Sequence, residues 1–392
     1  MKKIKIAFFA DMLVRDLDGC MRTIFQILDR KPEDVEIRCF SGKETHIPDE
    51  NSVTIPDLTI PFNSTYKMAL PFFKSQALRK ELIAFDPDVI HVSNPSALGR
   101  FATSFAKKRN IPVSTIYHTH FISYVDYYLR HYKALVPIVR KTIESSLKSF
   151  YNGCDLVLVP TEIMRAELAS IGVYNSKMKI WQRGIDKSIF NPSKKNHEVT
   201  LALTGNDKPC VLFASRLVWE KNLQTLIEIN CLNNEQGRSY NLIVAGDGVA
   251  RIVLEKQMKS AFFTGSLTQS ELASLYATAK VFLFPSISET YGNVVAEAMS
   301  CGTPCVIGNG GGTTAFIENN ESGFRIEPND APAYQNAILD IITNSRLYNH
   351  LSESCMRNTR HLDWNELAFS FYADLTALCH TNKPMPNTIL AA

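Results

Sequence analysis

The chain has 392 residues, of which 45% are hydrophobic and 21% charged, a composition that is typical of a folded globular protein and argues against a disordered or fibrous chain. Its length exceeds what one hydrophobic core fills, so we expect two domains of about 200 residues each. The formal net charge of +3 conceals an asymmetry, because residues 1–195 carry 29 Lys and Arg against 20 Asp and Glu, whereas residues 196–392 carry 13 against 19.

The amino-terminal segment and the cysteines indicate a cytoplasmic protein. Lys3 to Phe9 is predicted to be a buried strand and not a signal peptide, because Asp11 and Arg15 interrupt the apolar run. Nine cysteines show no Cys-x-x-Cys or metal-site spacing, which predicts reduced core thiols. No stretch approaches the roughly 20 apolar residues that a membrane-spanning helix requires.

Predicted strands and helices alternate along the first half. Gly19 precedes an amphipathic helix from about Cys20 to Leu28, and a glycine at this turn either lets a ligand approach closely or simply forms the turn. Strands that alternate with helices predict a parallel, doubly wound α/β sheet. The further predicted strands are 35–40, 88–92, 112–117 and 156–159, and the predicted helices are 65–84, 96–108 and 123–150.

Two histidines, His118 and His120, follow the predicted strand 112–117. The carboxyl ends of parallel strands line the ligand crevice of an open α/β sheet, which makes this pair a candidate for the site. A single histidine beside a buried strand is more often a satisfied core residue. The i, i+2 spacing would also suit a metal ion, but no carboxylate or cysteine partner lies nearby, so we predict no metal site.

The predicted helix 123–150 combines cations with aromatic and aliphatic side chains, and between Arg130 and Lys148 the only acid is Glu144. One interpretation is a surface helix with a solvated, charged outer face. The other is an interfacial helix that binds an anionic membrane. The basic residues are Arg130, His131, Lys133, Arg140, Lys141 and Lys148.

The second half opens with a predicted strand, Cys210 to Ala214, that leads into two cations. Arg216 and Lys221 follow the carboxyl end of this strand, five residues apart and before a predicted helix. Cations in this place would bind a diphosphate and neutralise it as it departs, whereas the common alternative is surface charge. The next predicted strand, Leu242 to Ala245, ends at Gly246 of a Gly-Asp-Gly turn.

Residues 281–307 carry the most informative pattern in the chain. The apolar run 281–285 predicts a strand buried on both faces, and from Gly292 the residues favour a helix. Glu289 lies in the loop between them, and Glu297 follows eight residues later in the helix. The first N–H groups of such a helix are a natural seat for phosphate, and a carboxylate on either side suits sugar hydroxyls. The alternative is a helix-capping Glu289 and a solvated Glu297.

This segment resembles the E-x7-E signature of the retaining glycosyltransferases of family 4, because Phe-Pro-Ser precedes Glu289, and Glu-Ala-Met and then Cys-Gly-Thr-Pro follow it. Three more stretches are similar to the family. They are Tyr-His-Thr from Tyr117, Arg-Leu followed by Glu-Lys between Arg216 and Lys221, and the interdomain linker WQRGIDKSIFNP at 181–192. The resemblance covers nearly the whole chain and is tightest over 205–325.

The resemblance implies a GT-B fold of the α/β class, in which two Rossmann-like, doubly wound parallel-sheet domains face a cleft. It implies an acceptor-binding domain at 1–188 and a nucleotide-sugar-binding domain at 189–363. Residues 364–392 would form a carboxy-terminal helix that crosses back onto the first domain, followed by a tail that frays from Thr381.

The resemblance also implies roles at the matching positions. His118 would reach the donor sugar, with His120 as second choice. Family enzymes usually carry two adjacent glycines near the donor phosphates, whereas this chain has Gly19 followed by Cys20. The glycine run at 308–314 would approach a ligand or form a flexible turn. The predicted catalytic residues are His118, Arg216, Lys221 and Glu289, and the predicted donor-binding residues are Gly19, Arg216, Lys221, Gly246, Glu289, Thr290, Tyr291, Gly292, Asn293, Val294 and Glu297.

The implied activity is retaining transfer of a hexose from a UDP- or GDP-linked donor to an acceptor, with no metal and no separate cofactor. We expect a lipid or lipid-linked glycan acceptor at the cytoplasmic face of the cell membrane and a peripheral enzyme that contacts anionic lipid. The alternatives are a soluble glycan or small-molecule acceptor, a GT-B sugar-nucleotide epimerase, and a non-catalytic partner subunit. We expect no nucleic-acid partner, and the absence of G-x-G-x-x-G after either opening strand argues against an NAD-dependent oxidoreductase.

Overall fold

The structure is a computed structural model and describes residues 3–15, 17–60, 63–118 and 136–381. The predicted site residue His120, the first part of the predicted helix 123–150 with Arg130, His131 and Lys133, and the tail 382–392 lie outside these ranges. Within them the chain forms two parallel sheets flanked by helices. We call the parts built on these sheets the first and the second domain.

The first domain is built on a seven-stranded parallel sheet. Its strands are short apolar runs, which is typical of strands covered by helices on both faces. The strands of this half are β1 (Ile4–Phe9), β2 (Val35–Ser41), β3 (Ser52–Thr54), β4 (Asp57–Ile60), β5 (Asn63–Ala69), β6 (Val89–Val92), β7 (Val113–Ile116), β8 (Leu156–Val159) and β9 (Met178–Ile180). All except β4 and β5 belong to the sheet, in the order β3-β2-β1-β6-β7-β8-β9.

Helices cover this first sheet. The predicted amphipathic helix after Gly19 is present and buries the side chains of Met21, Ile24, Phe25 and Ile27. The described part of the predicted helix 123–150 is also helical, from Val136. The helices of this half are α1 (Gly19–Leu28), α2 (Ser75–Phe85), α3 (Ala97–Arg109), α4 (Val136–Asn152) and α5 (Glu162–Ser170).

The helix predicted at 65–84 is wrong in its first part. Residues Asn63–Ala69 form β5, which pairs antiparallel with β4, and α2 begins only at Ser75. Pro71 opens a short 3-10 turn before α2, and a proline is poorly tolerated inside a helix. The carboxylate of Asp11 accepts a hydrogen bond from the N–H of Ala69 at 3.0 Å, so a distant residue holds the hairpin in place. Tertiary contact therefore decides this segment.

The second domain is built on a six-stranded sheet that is also parallel throughout. Its strands are β10 (Cys210–Ala214), β11 (Asn241–Ala245), β12 (Phe262–Gly265), β13 (Val281–Phe284), β14 (Cys305–Gly308) and β15 (Gly323–Ile326). Their order is β12-β11-β10-β13-β14-β15, so the direction of winding reverses between β10 and β13. A ligand crevice is expected at the carboxyl ends of the strands at such a reversal.

The helices of the second half include the one predicted after Gly292. They are α6 (His197–Thr204), α7 (Leu223–Glu235), α8 (Arg251–Gln257), α9 (Gln269–Thr278), α10 (Asn293–Ser300), α11 (Ala331–Thr343), α12 (Ser345–Thr359) and α13 (Trp364–Thr381). The apolar face of α10 packs into the core through Val295, Ala298 and Met299. The core therefore sets the position of α10 relative to β13.

The final helix, α13, crosses back onto the first domain, as the family resemblance implied. Its side chains Phe371, Tyr372 and Leu375 share a core with α1 and β1. The Tyr372 hydroxyl donates to the backbone oxygen of Ile27 at 2.8 Å. Among the described residues, no helix has both the length and the apolar character needed to cross a membrane.

Candidate active site

The carboxyl ends of the two sheets face each other, and loops from the two domains touch there. The Thr290 hydroxyl, which lies between β13 and α10, donates to the backbone oxygen of His118 at 2.9 Å. Gly19 lies directly opposite Asn293, and a β-carbon at position 19 would be 3.3 Å from the Asn293 Nδ2. The predicted site residues of both halves therefore meet at one cleft.

Two helices point their amino termini toward this cleft. Gly292 precedes α10 with a left-handed backbone (φ 84°), and no side chain caps the helix, so the N–H groups of Asn293 and Val294 are available for a ligand. The amino terminus of α1 lies across the cleft at Gly19. Asp18 caps α1, so it is the uncapped amino terminus of α10 whose partial positive charge favours an anionic ligand in the cleft.

The hairpin that replaces the predicted helix also reaches this region. The Tyr66 hydroxyl on β5 donates a short hydrogen bond to Asp18 Oδ2, while Asp18 Oδ1 accepts from the N–H of Met21 at 2.8 Å and caps α1. Burial and the Asp18 carboxylate together raise the pKa of Tyr66, so its hydroxyl stays protonated. The hairpin thus stabilises the loop that carries Gly19.

Lys221 and Glu289 form an ion pair on the second-domain side of the cleft. The Lys221 side chain is buried, with 5% exposed, and that of Glu289 is 24% exposed. Burial alone would raise the pKa of Glu289, but Lys221, Arg216 and Arg183 outweigh it and hold the pKa below the ordinary value. Glu289 is therefore an anion at neutral pH, held by a lysine.

The glycine run after β14 packs against the loop that carries Glu289. The N–H of Gly312 donates to the backbone oxygen of Glu289 at 2.7 Å. A β-carbon at position 312 would lie 2.0 Å from the backbone oxygen of Thr290, so only glycine fits there. The backbone of the glycine run 308–314 thus approaches the loop that carries Glu289. A contact between this run and a ligand stays a prediction.

Arg216 and Gly246 lie at the carboxyl ends of the neighbouring strands β10 and β11. Gly246 has a positive φ of 126°, and a β-carbon there would lie 1.9 Å from the backbone oxygen of Ser215. Gly246 therefore lets the two strand ends approach beside Arg216, which is exposed. Arg216 is also close enough to Glu289 and Tyr66 to influence the pKa of both.

Glu297 lies buried on α10 and faces the first domain. Its Oε1 is 3.6 Å from the Arg22 guanidinium of α1, so this ion pair joins the two domains. Burial raises the pKa of Glu297, an effect that Arg22 and the Tyr276 hydroxyl partly offset. This carboxyl group is thus in a less polar environment than Glu289, and the two predicted glutamates differ in electrostatics.

The His118 ring is buried, and neither ring nitrogen has a hydrogen-bond partner among the described residues. Burial, with further contributions from Arg183 and His91, lowers the pKa of His118 well below its ordinary value. The imidazole is therefore neutral at physiological pH. Its two nitrogens can exchange hydrogen bonds with a ligand, one as donor and one as acceptor.

Three further residues of the cleft were not among the predicted site residues: Arg22, Tyr66 and Arg183. Arg183 is buried, and its Nη2 lies 3.4 Å from both the backbone oxygen of His118 and the Thr290 hydroxyl. The position of Arg183 inside the interdomain linker motif 181–192 could have identified it as a site residue. For Arg22 no local signal exists, because its partner Glu297 lies in the other half of the chain. Tyr66 was not identified because residues 65–84 were predicted to be a helix.

Comparison with known protein families gives two adjacent matches. The family described as Glycosyltransferase Family 4 matches residues 22–188, and the family described as Glycosyl transferases group 1 matches residues 201–357. The first match covers β2 to β9, and the second covers β10 to β15 with Arg216, Lys221, Glu289 and Glu297. The cleft residues of the second domain thus all lie within one family match.

Three curated relatives are similar to the chain. The sulfoquinovosyl transferase SQD2 of Arabidopsis thaliana is 29% identical over 76% of this chain and 58% of its own length, so the match spans little more than half of that relative. A GDP-mannose-dependent alpha-mannosyltransferase of Corynebacterium glutamicum is 25% identical over 96% of this chain and 90% of its own length. An alpha-monoglucosyldiacylglycerol synthase of Acholeplasma laidlawii is 24% identical over 74% of this chain and 75% of its own length.

A solved structure shares the fold. The Anabaena protein HepE, in complex with UDP and glucose, superposes with a TM-score of 0.74 at 16% identity. The match covers 95% of this chain and 100% of that protein. The arrangement of both sheets around the cleft is therefore that of a known two-domain fold.

Proposed function

The chain belongs to the GT-B glycosyltransferases of family 4, and on this premise we propose that it transfers a hexose from a nucleoside-diphosphate sugar, with retention of configuration, to a lipid or lipid-linked acceptor. Glycosyl transfer from nucleotide sugars is the activity of the family. The stereochemistry, the donor and the acceptor are the proposal. It rests above all on the convergence of Lys221, Glu289, His118 and the amino terminus of α10 at one cleft.

The donor diphosphate is proposed to bind between the amino terminus of α10 and the two cations that follow β10. Lys221 and Arg216 supply full positive charges, and the free N–H groups of α10 supply a partial one. These groups neutralise the leaving diphosphate, a task that a metal ion performs in other enzymes, so the proposed transfer is metal-independent. The relative from Corynebacterium is named for GDP-mannose and HepE was solved with UDP, which makes UDP and GDP the bases to test.

The proposed roles of the two glutamates follow from their surroundings. Glu289 is anionic and held by Lys221, so it accepts hydrogen bonds from the hydroxyls of the donor sugar. Glu297 lies one to two turns into α10 and suits the ribose hydroxyls. The sugar gains oxocarbenium character as the diphosphate departs, and the acceptor attacks from the same face.

Product analysis tests this function directly. UDP- and GDP-hexoses are offered with lipid and soluble glycan acceptors, and the products are identified by mass spectrometry and by NMR of the new anomeric centre. We expect one donor to give a product whose anomeric configuration matches that of the donor sugar. Inversion would contradict the retaining mechanism, and epimerised donor without an acceptor product would support the epimerase alternative.

We predict that His118→Ala lowers kcat by roughly fivefold or more, since a lost hydrogen bond in the transition state is worth on the order of 1 kcal/mol. Affinity for the nucleoside diphosphate should change little, because His118 contacts the sugar in this proposal. The pH dependence of kcat should show no inflection from His118 between pH 6 and 8, since its pKa lies well below that range.

The matched control for that variant is the exposed His197→Ala, which should retain full turnover. His120→Ala should also have a smaller effect than His118→Ala. The reverse ranking would move the sugar contact by two residues. Loss of activity on adding a chelator would contradict the metal-independent transfer.

The acceptor proposal rests on the outer face of the first domain. Phe73, in the 3-10 turn before α2, is 70% exposed, and Ile138 on α4 is 65% exposed. A groove beside Ile138 is lined by Arg100 and Lys141, and none of the described residues that line it is acidic. Basic residues interleaved with exposed apolar ones favour binding to an anionic bilayer, and one relative is named for a diacylglycerol product. We therefore propose a lipid acceptor at the cytoplasmic face of the membrane.

Vesicle co-sedimentation checks this. We expect binding to anionic vesicles but not to neutral ones, weakened by salt and by Lys141→Glu, because each cation near an anionic leaflet contributes about 1 kcal/mol. Lys133→Glu should act in the same direction. The control is Lys256→Glu, which changes an exposed lysine of the second domain and should leave binding unaltered. Absence of binding even at low salt would favour a soluble acceptor.

A further inference from the structure

Arg183 lies in the linker between β9 and the second domain, and its guanidinium is enclosed at the centre of the cleft. Its side chain reaches three acceptors from both domains. Its Nη2 is 3.4 Å from the backbone oxygen of His118 and 3.4 Å from the Thr290 hydroxyl, and its Nη1 is 3.4 Å from Asn293 Oδ1. The residue as a whole is only 6% exposed.

All three of these acceptors are neutral, and the distances are long for hydrogen bonds. Within the described part of the chain, no carboxylate lies at ion-pair distance from Arg183, and its Nε has no hydrogen-bond partner. Glu289 and Asp18 influence Arg183 only through longer-range attraction, and each has a nearer partner, since Glu289 pairs with Lys221 and Asp18 caps α1. Arg183 is therefore a buried cation that lacks a counter-ion.

A buried cation without a counter-ion is costly, and folded proteins usually pair or remove it. The surroundings of Arg183 increase this cost, because Asn293 opens α10 and Gly19 opens α1, so two positive helix termini lie beside it. The Asp18 carboxylate caps α1 and offsets part of this potential, whereas α10 has no side-chain cap. An anionic ligand would satisfy both Arg183 and the uncapped terminus of α10.

We propose that Arg183 is a further donor-binding residue, whose guanidinium binds the diphosphate of the nucleotide sugar between the amino termini of α1 and α10. The inference rests on the proposed function and adds to it a binding group supplied by the interdomain linker. The guanidinium donates to a phosphate oxygen, while its contacts with Asn293 and Thr290 keep it oriented.

The experiment compares Arg183→Gln and Arg183→Lys with the wild type by calorimetry and thermal unfolding, using inorganic pyrophosphate, UDP, GDP and the corresponding nucleosides. We expect Arg183→Gln to bind pyrophosphate and the preferred nucleoside diphosphate about tenfold more weakly or worse, with nucleoside affinity unchanged. Its Tm without ligand should equal or exceed that of the wild type, since an unpaired buried charge is gone. Arg183→Lys should recover part of the affinity.

The matched control is Lys187→Gln, which removes a cation from the same linker. The Lys187 side chain donates to the backbone oxygen of Arg360, away from the cleft. This variant should leave pyrophosphate binding unchanged. Equal pyrophosphate affinity in Arg183→Gln and the wild type would overturn the inference. A lowered Tm together with equal losses of affinity for nucleoside and diphosphate would also overturn it, because Arg183 would then have a purely structural role. A wild type that binds pyrophosphate through Arg183 but neither UDP nor GDP would instead overturn the proposed function.

Discussion

Glu289→Gln is expected to lower kcat by roughly 10²–10³-fold, the range for removing one preorganised electrostatic contact to a transition state. The substitution keeps the shape of the side chain but removes the negative charge that Lys221 holds in place. Nucleoside-diphosphate affinity should stay the same or increase, because Lys221 is then released from its carboxylate and free to bind phosphate. Steady-state kinetics beside calorimetric titration measure both quantities.

The same variant should lose stability. Removing one partner of a buried ion pair costs roughly 3–5 kcal/mol, and the partial exposure of Glu289 places the expected loss below that range. Glu271→Gln is the control, since Glu271 caps the exposed start of α9 and should affect stability but not turnover. Should kcat survive while nucleotide affinity collapses, the roles of Glu289 and Glu297 are reversed.

Lys221→Met should weaken binding of the preferred nucleoside diphosphate by roughly 10- to 150-fold, which corresponds to a charge-assisted hydrogen bond of about 1.5–3 kcal/mol. Lys221 is buried in the turn between β10 and α7, whereas Arg216, the other cation proposed for the diphosphate, is exposed and should retain only part of the binding. Calorimetry with UDP and GDP measures the change. Lys256→Met, on the exposed face of α8, is the control and should bind as the wild type does.

The stability of Lys221→Met should depend on pH. In the wild type the folded-state pKa of Glu289 is lowered, so this group contributes stability above its ordinary pKa, which is lost as the pH falls through the folded value. Without Lys221 the burial of Glu289 is less opposed and its pKa rises. The stability gap between wild type and variant should therefore be large at neutral pH and shrink in acid.

Chemical denaturation from pH 3 to 7 checks this expectation, because Glu289 is charged at the upper end and increasingly protonated at the lower. The double variant Lys221→Met with Glu289→Gln should be more stable than Lys221→Met alone, since it leaves no unpaired buried charge. A gap that does not change with pH would show that Glu289 is not the group responsible. Unchanged nucleotide affinity in Lys221→Met would contradict the proposed donor seat.

Much of the fold followed from the sequence because its signals are local. Short apolar runs ended by turn residues located β1, β10 and β13, and the alternation with helices predicted the parallel sheets. The strand, loop and helix over 281–300 placed Glu289 and Glu297 at a carboxyl strand end, and the structure has these elements there. The expected GT-B fold is confirmed. Each of these features depends on residues close together in the chain.

The electrostatics of the cleft depended on the tertiary structure. Glu289 and Glu297 look equivalent in the sequence, yet Lys221 holds the pKa of the first down and burial raises the pKa of the second. The contacts that cause this difference, from Lys221 to Glu289 and from Arg22 to Glu297, join residues far apart in the chain. Periodicity and spacing carry no information about such pairs.

Three further features depended on tertiary contacts, two of them within one domain and one between the domains. The hairpin at β4 and β5 forms because Asp11 binds the N–H of Ala69, which local propensity could not reveal. The glycines after β14 are required by the backbone of the Glu289 loop, and Arg183 is enclosed by loops from both domains. The sequence by itself thus determined the strands, the helices and the segments that reach the cleft. Packing between distant segments decided which side chains are paired, buried or left with unsatisfied charge.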